Sequence, residues 1–98
     1  MNEETTNVAV EVRIPTILRT YTGGAKAVDG AGTTLAEVID DVESRHPGLK
    51  ARLVEEAGLR RFVNVYVNDE DVRFSGGLGA PTADGDVIVV LPAVAGGC

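Results

Sequence analysis

The residues of this 98-residue chain that could take part in chemistry are gathered at its end, Pro92-Ala93-Val94-Ala95-Gly96-Gly97-Cys98. Pro92 has no N–H to give to a sheet ladder and is expected to stop the apolar run Val87-Ile88-Val89-Val90-Leu91. The residues after Pro92 are small and uncharged. Gly96 and Gly97 have no side chains to bury, and ordering them has the largest entropy cost. Residues 92–98 therefore read as a flexible tail, either frayed or made to enter another protein's narrow site. Extended at ~3.3–3.6 Å per residue, it reaches roughly 20 Å. Cys98 adds a thiol, but nothing adjacent would lower its pKa and make it a nucleophile.

Other reactive residue types are scattered. His46 is the only histidine and sits in the helix-stopping run His46-Pro47-Gly48, where a solvated turn residue is the simpler reading than a base. Ser75 has no identifiable partner base for nucleophilic catalysis. Asn68-Asp69-Glu70-Asp71 is acidic but lacks the twelve-residue calcium-loop pattern, so it reads as a turn. Gly76-Gly77-Leu78-Gly79 is not followed by the Lys–Ser/Thr pair of a phosphate loop. The expectation is a protein that is not itself an enzyme, with no bound metal or cofactor.

Bulk properties narrow the class. The length suits one domain, 1–98, with one core. Aromatic content of 4% makes that core aliphatic. Nine bases against fifteen acids give a net charge of −6, which excludes the basic footprint of a nucleic-acid binder and fits an anionic membrane poorly. The charge suits a soluble protein that meets a basic patch on its partner. One cysteine allows no internal disulfide, and no apolar run has membrane-spanning length, so a cytoplasmic location is expected.

The elements that would hold the tail can be read in order. Residues 1–6 are polar and expected to be a disordered lead-in. Val8 to Ile14 alternates as a half-buried strand ended by Pro15. Thr20 to Gly24 reads as a turn, and Ala25 to Val28 as a second strand in a hairpin with the first. Asp29-Gly30-Ala31-Gly32 is expected to break the chain. Thr34 and Glu37 have capping-box spacing, and Leu35, Val38, Ile39 and Val42 form an apolar helical stripe. Leu49, Leu53 and Val54 allow a short helical turn. Phe62 to Val67 alternates again, and Val72-Arg73-Phe74 reads as a short return strand after the 68–71 turn. Ser75 to Gly79 is expected to be a flexible loop, and Asp84-Gly85-Asp86 a turn into the last strand. One capped helix against a mixed sheet of four to five strands is an α+β roll. The last strand is apolar at every position, while one helix covers only one sheet face. Ile88, Val90 and Phe74, with Pro92, Ala93, Val94 and Ala95, are accordingly assigned to partner binding.

Three stretches carry a resemblance: Ile14-Pro15-Thr16-Ile17-Leu18-Arg19, the strand–turn–strand from Phe62 to Arg73, and Asp84 through Leu91-Pro92-Ala93-Val94-Ala95-Gly96-Gly97. Together with the element order, they resemble the ubiquitin-like sulfur carriers. That group includes the molybdopterin-synthase small subunit, the thiamin sulfur carrier and, most similar in these stretches, the mycobacterial cysteine-biosynthesis carrier. The resemblance implies a β-grasp fold. It also implies that the Gly97 carboxylate, with Gly96 before it, is the functional group. An E1-like partner would adenylate that carboxylate with ATP, and sulfide equivalents would displace AMP to leave a thiocarboxylate. The expected acceptor is a cysteine-synthase-like or other sulfur-accepting enzyme. The alternatives are a molybdopterin-synthase small subunit or a ubiquitin-like interaction and conjugation module.

In this chain Gly97 is followed by Cys98, so its carboxylate is not free. Three readings stand. Cys98 is a precursor residue removed by a peptidase, or it copies the cysteinyl product of sulfur transfer, which a JAMM-type metallopeptidase releases in the resembling subgroup, or it is an added handle. The first two need the same cleavage.

Overall fold

The computed structural model describes residues 9–56, 58–60 and 63–92. The expected lead-in at 1–6, Phe62 and the tail residues Ala93, Val94, Ala95, Gly96, Gly97 and Cys98 lie outside the described residues.

Strand β1 (Ala9–Arg13) alternates as its sequence demands, with Val10 and Val12 buried. Pro15 ends it and leads into a 3₁₀ segment, Thr16–Thr22, closed by Gly23 in the left-handed region. Strand β2 (Ala27–Ala31) returns antiparallel, with Val12 opposite Val28 and Val10 opposite Gly30. Helix α1 (Leu35–Arg45) then crosses the sheet, and its stripe Leu35, Val38, Ile39 and Val42 is buried as expected. The Thr34 hydroxyl caps it by accepting the Glu37 N–H at 3.2 Å. The reciprocal arm is displaced by one residue: the Glu37 carboxylate accepts the Thr33 N–H and hydroxyl at 2.8 and 3.0 Å.

Helix α2 (Leu49–Leu53) and a small hairpin of β3 (Val54–Glu55) and β4 (Gly58–Leu59) come next. Strand β5 (Val63–Val67), strand β6 (Glu70–Asp71) and strand β7 (Val87–Pro92) complete a five-stranded sheet in the order β2-β1-β7-β5-β6. Only β1 and β7 are parallel; the other neighbours are antiparallel. Strand residues Val10, Val12, Val63, Val65, Ile88 and Val90 meet the α1 stripe, with Leu49 and Leu53 closing one end. The void between α1 and the sheet is only about 10 Å³, the lower limit of what one water needs, so the core is close-packed.

Four expectations are corrected. First, Asp29-Gly30-Ala31 does not break the chain but forms the second half of β2. Gly30 faces the helix: a Cβ there would lie 2.7 Å from Val38 Cγ1 and 3.0 Å from Val42 Cγ2. Glycine here permits close helix–strand approach instead of a turn. Second, Val72-Arg73-Phe74 is not a return strand. The return is β6, and Asp71 Oδ1 accepts the Arg73 N–H at 2.9 Å, turning the chain into a 3₁₀ turn. Third, the glycine-rich stretch contains a 3₁₀ turn, Gly77–Gly79, that delivers Ala80, whose carbonyl accepts the Leu35 N–H at 2.9 Å. Fourth, Pro92 belongs to β7 and pairs with Val63. Asn68 N–H bonds the Val87 carbonyl at 2.9 Å, so with alternating pairs Val63 and Pro92 fall at a non-hydrogen-bonded position. The Pro92 nitrogen faces the β1 side, where pairing ends at Arg13 opposite Val89, so no ladder bond is lost.

Candidate functional site

The candidate site is the end of β7 at Pro92, the last described residue before the Gly96-Gly97 sequence. The first half of β7 is paired on both sides, with β1 through Val87 to Val89 and with β5 from Ile88 onward, and the second half, Val90 to Pro92, is held by β5 alone. The direction in which β7 runs is therefore set where two ladders hold it, and the β5 ladder carries that direction to Pro92.

Side-chain parity along β7 decides what a partner meets. Ile88 and Val90 are 1% and 3% exposed and point into the core beneath α1. Their assignment to partner binding is corrected: they are core residues. The outward residues are Val87, Val89 and Leu91, of which Leu91 is 46% exposed. Tyr66 pairs with Val89 and stands beside it on the same open face. The apolar excess in the run is therefore real, but it belongs to the opposite half of the strand. Phe74 is 84% exposed, as expected of a contact residue, yet it lies past edge strand β6, two strands from β7.

Arg73 is a positioning residue that the sequence did not single out. Its guanidinium donates to Asn64 Oδ1 at 2.9 Å and to the carbonyls of Val63 and Arg60 at 2.7 and 3.4 Å. It ties down the entry of β5 opposite Pro92. At the other end of β7, Asn68 and Asp69 take positive φ of 51° and 73° in the two-residue turn between β5 and β6. Asn68 Oδ1 accepts the Val87 N–H at 3.0 Å, and its amide donates to Asp86 Oδ1 at 2.9 Å. The start and the end of β7 are thus each pinned from the β5 side.

Two grooves flank the end of β7. One is lined by Arg13, Arg19, Lys26, Val89 and Leu91, and by Glu11, whose carboxylate is paired with Arg13 at 2.7 Å. The other is lined by Ile17, Tyr21, Arg52, Val63 and Pro92. Arg52 lies 5.5 Å from the Tyr21 ring centroid and donates from Nε to its hydroxyl at 2.7 Å.

The carboxylates with displaced pKa values lie on α1, away from this end. The Thr33 backbone and hydroxyl hold Glu37 below its ordinary value, and the Arg45 guanidinium does the same for Asp41. The N–H groups of Lys50 and Gly48 lower Glu43, whose carboxylate bridges from α1 to α2 at 2.8 and 3.0 Å. These groups staple the fold. His46 is the C-cap of α1, and Ser75 closes the 3₁₀ turn at 72–74; neither forms part of a reacting cluster. Among the described residues no group of three His, Cys, Asp or Glu could hold a metal, and no helix is long and apolar enough to cross a membrane.

Residues 12–97 match the ThiS family, and the match runs through Gly97. The chain belongs to the ThiS family. Among its relatives, the sulfur carrier protein CysO of Mycobacterium tuberculosis is 57% identical over 91 residues, covering 90% of this chain and 98% of that protein. A chain in the crystal structure of the Amycolatopsis orientalis BexX/CysO complex is 70% identical with a TM-score of 0.87, covering 91% of this chain and all of that one. Small archaeal modifier protein 1 of Methanosarcina acetivorans shares the fold at 25% identity and a TM-score of 0.79, covering 95% and 100% of the two chains. The β-grasp architecture expected of a ubiquitin-like ThiS-family member is the one observed: a mixed five-stranded sheet packed on one principal helix. The chain is a homologue of the CysO sulfur carriers.

Proposed function

We propose that this ThiS-family chain carries sulfur as a thiocarboxylate on Gly97, for cysteine or a related sulfur metabolite. The observation that carries the reading is the family match through Gly97 on a chain 57% identical to a CysO sulfur carrier. That identity favours the cysteine-type carrier over a molybdopterin-synthase subunit or a conjugated modifier. The chain acts as carrier and co-substrate, and the partner enzymes supply the chemistry.

Gly97 is joined to Cys98, so hydrolysis of that bond comes first. A metallopeptidase of the JAMM type would add water across it, leaving the Gly97 carboxylate and releasing Cys98. An E1-like partner then lets a carboxylate oxygen attack the α-phosphorus of ATP, with pyrophosphate as leaving group. A sulfide equivalent adds at the acyl carbon, AMP departs, and the thiocarboxylate remains. Its sulfur is the nucleophile toward the substrate of a cysteine-synthase-like acceptor. Gly96 and Gly97 suit this because a chain without Cβ atoms can thread next to the nucleotide. The outward face of Leu91 and Val89, and the segment Pro92-Ala93-Val94-Ala95, are the proposed partner contacts.

The test compares the full chain with a chain ending at Gly97 under the same activating enzyme, ATP and sulfide. Thiocarboxylate is expected only on the shorter one. Equal formation on both, with Cys98 still attached to the first, would refute the required cleavage.

A further inference from the structure

The net charge of −6 suggests a partner with a basic surface, but the charges are not spread evenly. The sheet has an acidic pole where β7 begins. Asp86 there binds Asn68, Asp84 accepts the Ala9 N–H at 3.0 Å, and Asp69 and Glu70 form the adjacent turn. The opposite pole, where β7 ends, is basic. Arg13 pairs in register with Val89, the Lys26 carbonyl accepts the Ile14 N–H just beyond β1, and Arg19 donates to the Ile14 carbonyl at 3.0 Å.

Pairing sharpens the contrast. Eight basic residues are described, and five of them form ion pairs: Arg13 with Glu11, Arg45 with Asp41, Lys50 with Asp40, Arg60 with Glu55 and Arg73 with Asp71. Among the described residues the other three, Arg19, Lys26 and Arg52, make none. All three line the grooves on either side of the last residues of β7. The poles are separated by the length of a six-residue strand, about 20 Å, which is more than twice the Debye length of about 8 Å at physiological salt. A molecule approaching the end of β7 therefore meets the cations, with the acidic pole screened from it.

We propose that Arg19, Lys26 and Arg52 form a cationic collar around the end of β7, and that it docks on an acidic rim around the cleft of the activating partner. The inference rests on the tail being the reacting segment. It reverses the sign of partner surface that the net charge suggests. The apolar residues Leu91 and Val89 form the centre of the contact, and the collar steers and orients it, as charged rims do. The acidic pole faces away and keeps the protein soluble while attached.

The experiment measures association with the E1-like activating enzyme by stopped flow, without ATP, across a salt series. Wild-type association is expected to slow as salt rises. The Lys26→Glu/Arg52→Glu variant is expected to associate about tenfold more slowly at low salt and to converge with wild type at about 0.5 M. Glu70→Lys at the opposite pole should leave the rate unchanged. Lys26→Ala, at an exposed position, provides a milder version if the double variant melts early. Association insensitive to salt, or unaffected by the collar substitutions, overturns the proposal. So does unaltered association together with a raised KM for ATP in a separate steady-state activation assay, which would mean that the collar touches nucleotide. Thiocarboxylate formation at saturating enzyme is read separately. Its absence from wild type ending at Gly97 would overturn the sulfur-carrier reading, whereas its presence with unaltered association overturns only the collar.

Discussion

Replacing Gly30 by alanine should destabilise the protein, although the same change at an ordinary strand position would help. An alanine without strain gains about 0.4–1 kcal/mol by restricting the unfolded chain. Here the new Cβ would sit 2.7 Å from Val38 Cγ1, 3.0 Å from Val42 Cγ2 and 3.4 Å from the Val38 carbonyl oxygen. Carbon atoms in contact prefer about 3.5–4.0 Å, so roughly 1 Å of relief is needed. The two valines cannot supply it by rotating, because β-branched side chains in a helix hold essentially one χ1. Helix α1 must lift from β2 to relieve these contacts, which loosens the packing of its buried stripe. Overpacking of this kind costs about 1–3 kcal/mol, a fall in Tm of about 4–8 °C per kcal/mol for a domain of this size. The decisive assay is a double-mutant cycle in urea with Gly30→Ala, Val38→Ala and both. Val38→Ala alone opens a cavity and costs about 1–3 kcal/mol, but it also removes the clashing methyl. The double variant should therefore be at least ~1 kcal/mol more stable than the sum of the two losses. A Gly30→Ala protein as stable as wild type, or strictly additive losses, would refute close approach as the reason for this glycine.

Parity along β7 makes Ile88→Asp and Leu91→Asp opposites: the first buries an unpaired charge and should abolish folding, while the second should keep a native circular-dichroism spectrum and lose partner binding. Normal binding by a folded Leu91→Asp protein would remove the open face from the contact. Asn68→Ala forfeits the bonds to Val87 and Asp86 and puts alanine at a φ of 51°, a loss of about 1–3 kcal/mol in urea unfolding. No change would mean that the turn does not pin β7. Glu37, Asp41 and Glu43 have folded pKa values below their unfolded ones. In acid the unfolded state therefore binds more protons, and the stability that these groups add is present near neutrality. It should fade as pH falls below the ordinary values of 4.5 and 3.8 toward the lowered ones. Glu43→Gln should shift the acid-unfolding midpoint upward on this account. An identical acid-unfolding curve would contradict the staple between α1 and α2.

Much of this architecture was legible because its signals were local. The alternation of Val10 and Val12, the stripe Leu35-Val38-Ile39-Val42 and the Thr34–Glu37 cap each depend on residues within two turns of chain. What was not legible depended on distant neighbours. Gly30 reads as a break until helix residues eight and twelve positions later are seen above it. Five apolar residues in a row carry no parity, so only the pairing of β7 with β5 and β1 shows that Ile88 and Val90 face inward and Leu91 outward. Pro92 reads as a stop, yet it fits at the end of β7 because its nitrogen faces a side where no strand continues. Arg19, Lys26 and Arg52 are ordinary bases in the sequence; a shared position around the strand end appears only when the sheet brings the two grooves together. The Gly96-Gly97 signal itself was plain, since it rests on residue type next to a strand.

The central claim is that Gly97 holds the sulfur, and the most direct measurement is the intact mass of a chain ending at Gly97. The chain is incubated with the E1-like enzyme and sulfide, with and without ATP, and the C-terminal peptide is then fragmented. The account predicts a mass gain of one oxygen-to-sulfur exchange, dependent on ATP and confined to the Gly97 carboxyl. An unchanged mass with a competent enzyme, or sulfur located on any other residue, would contradict it.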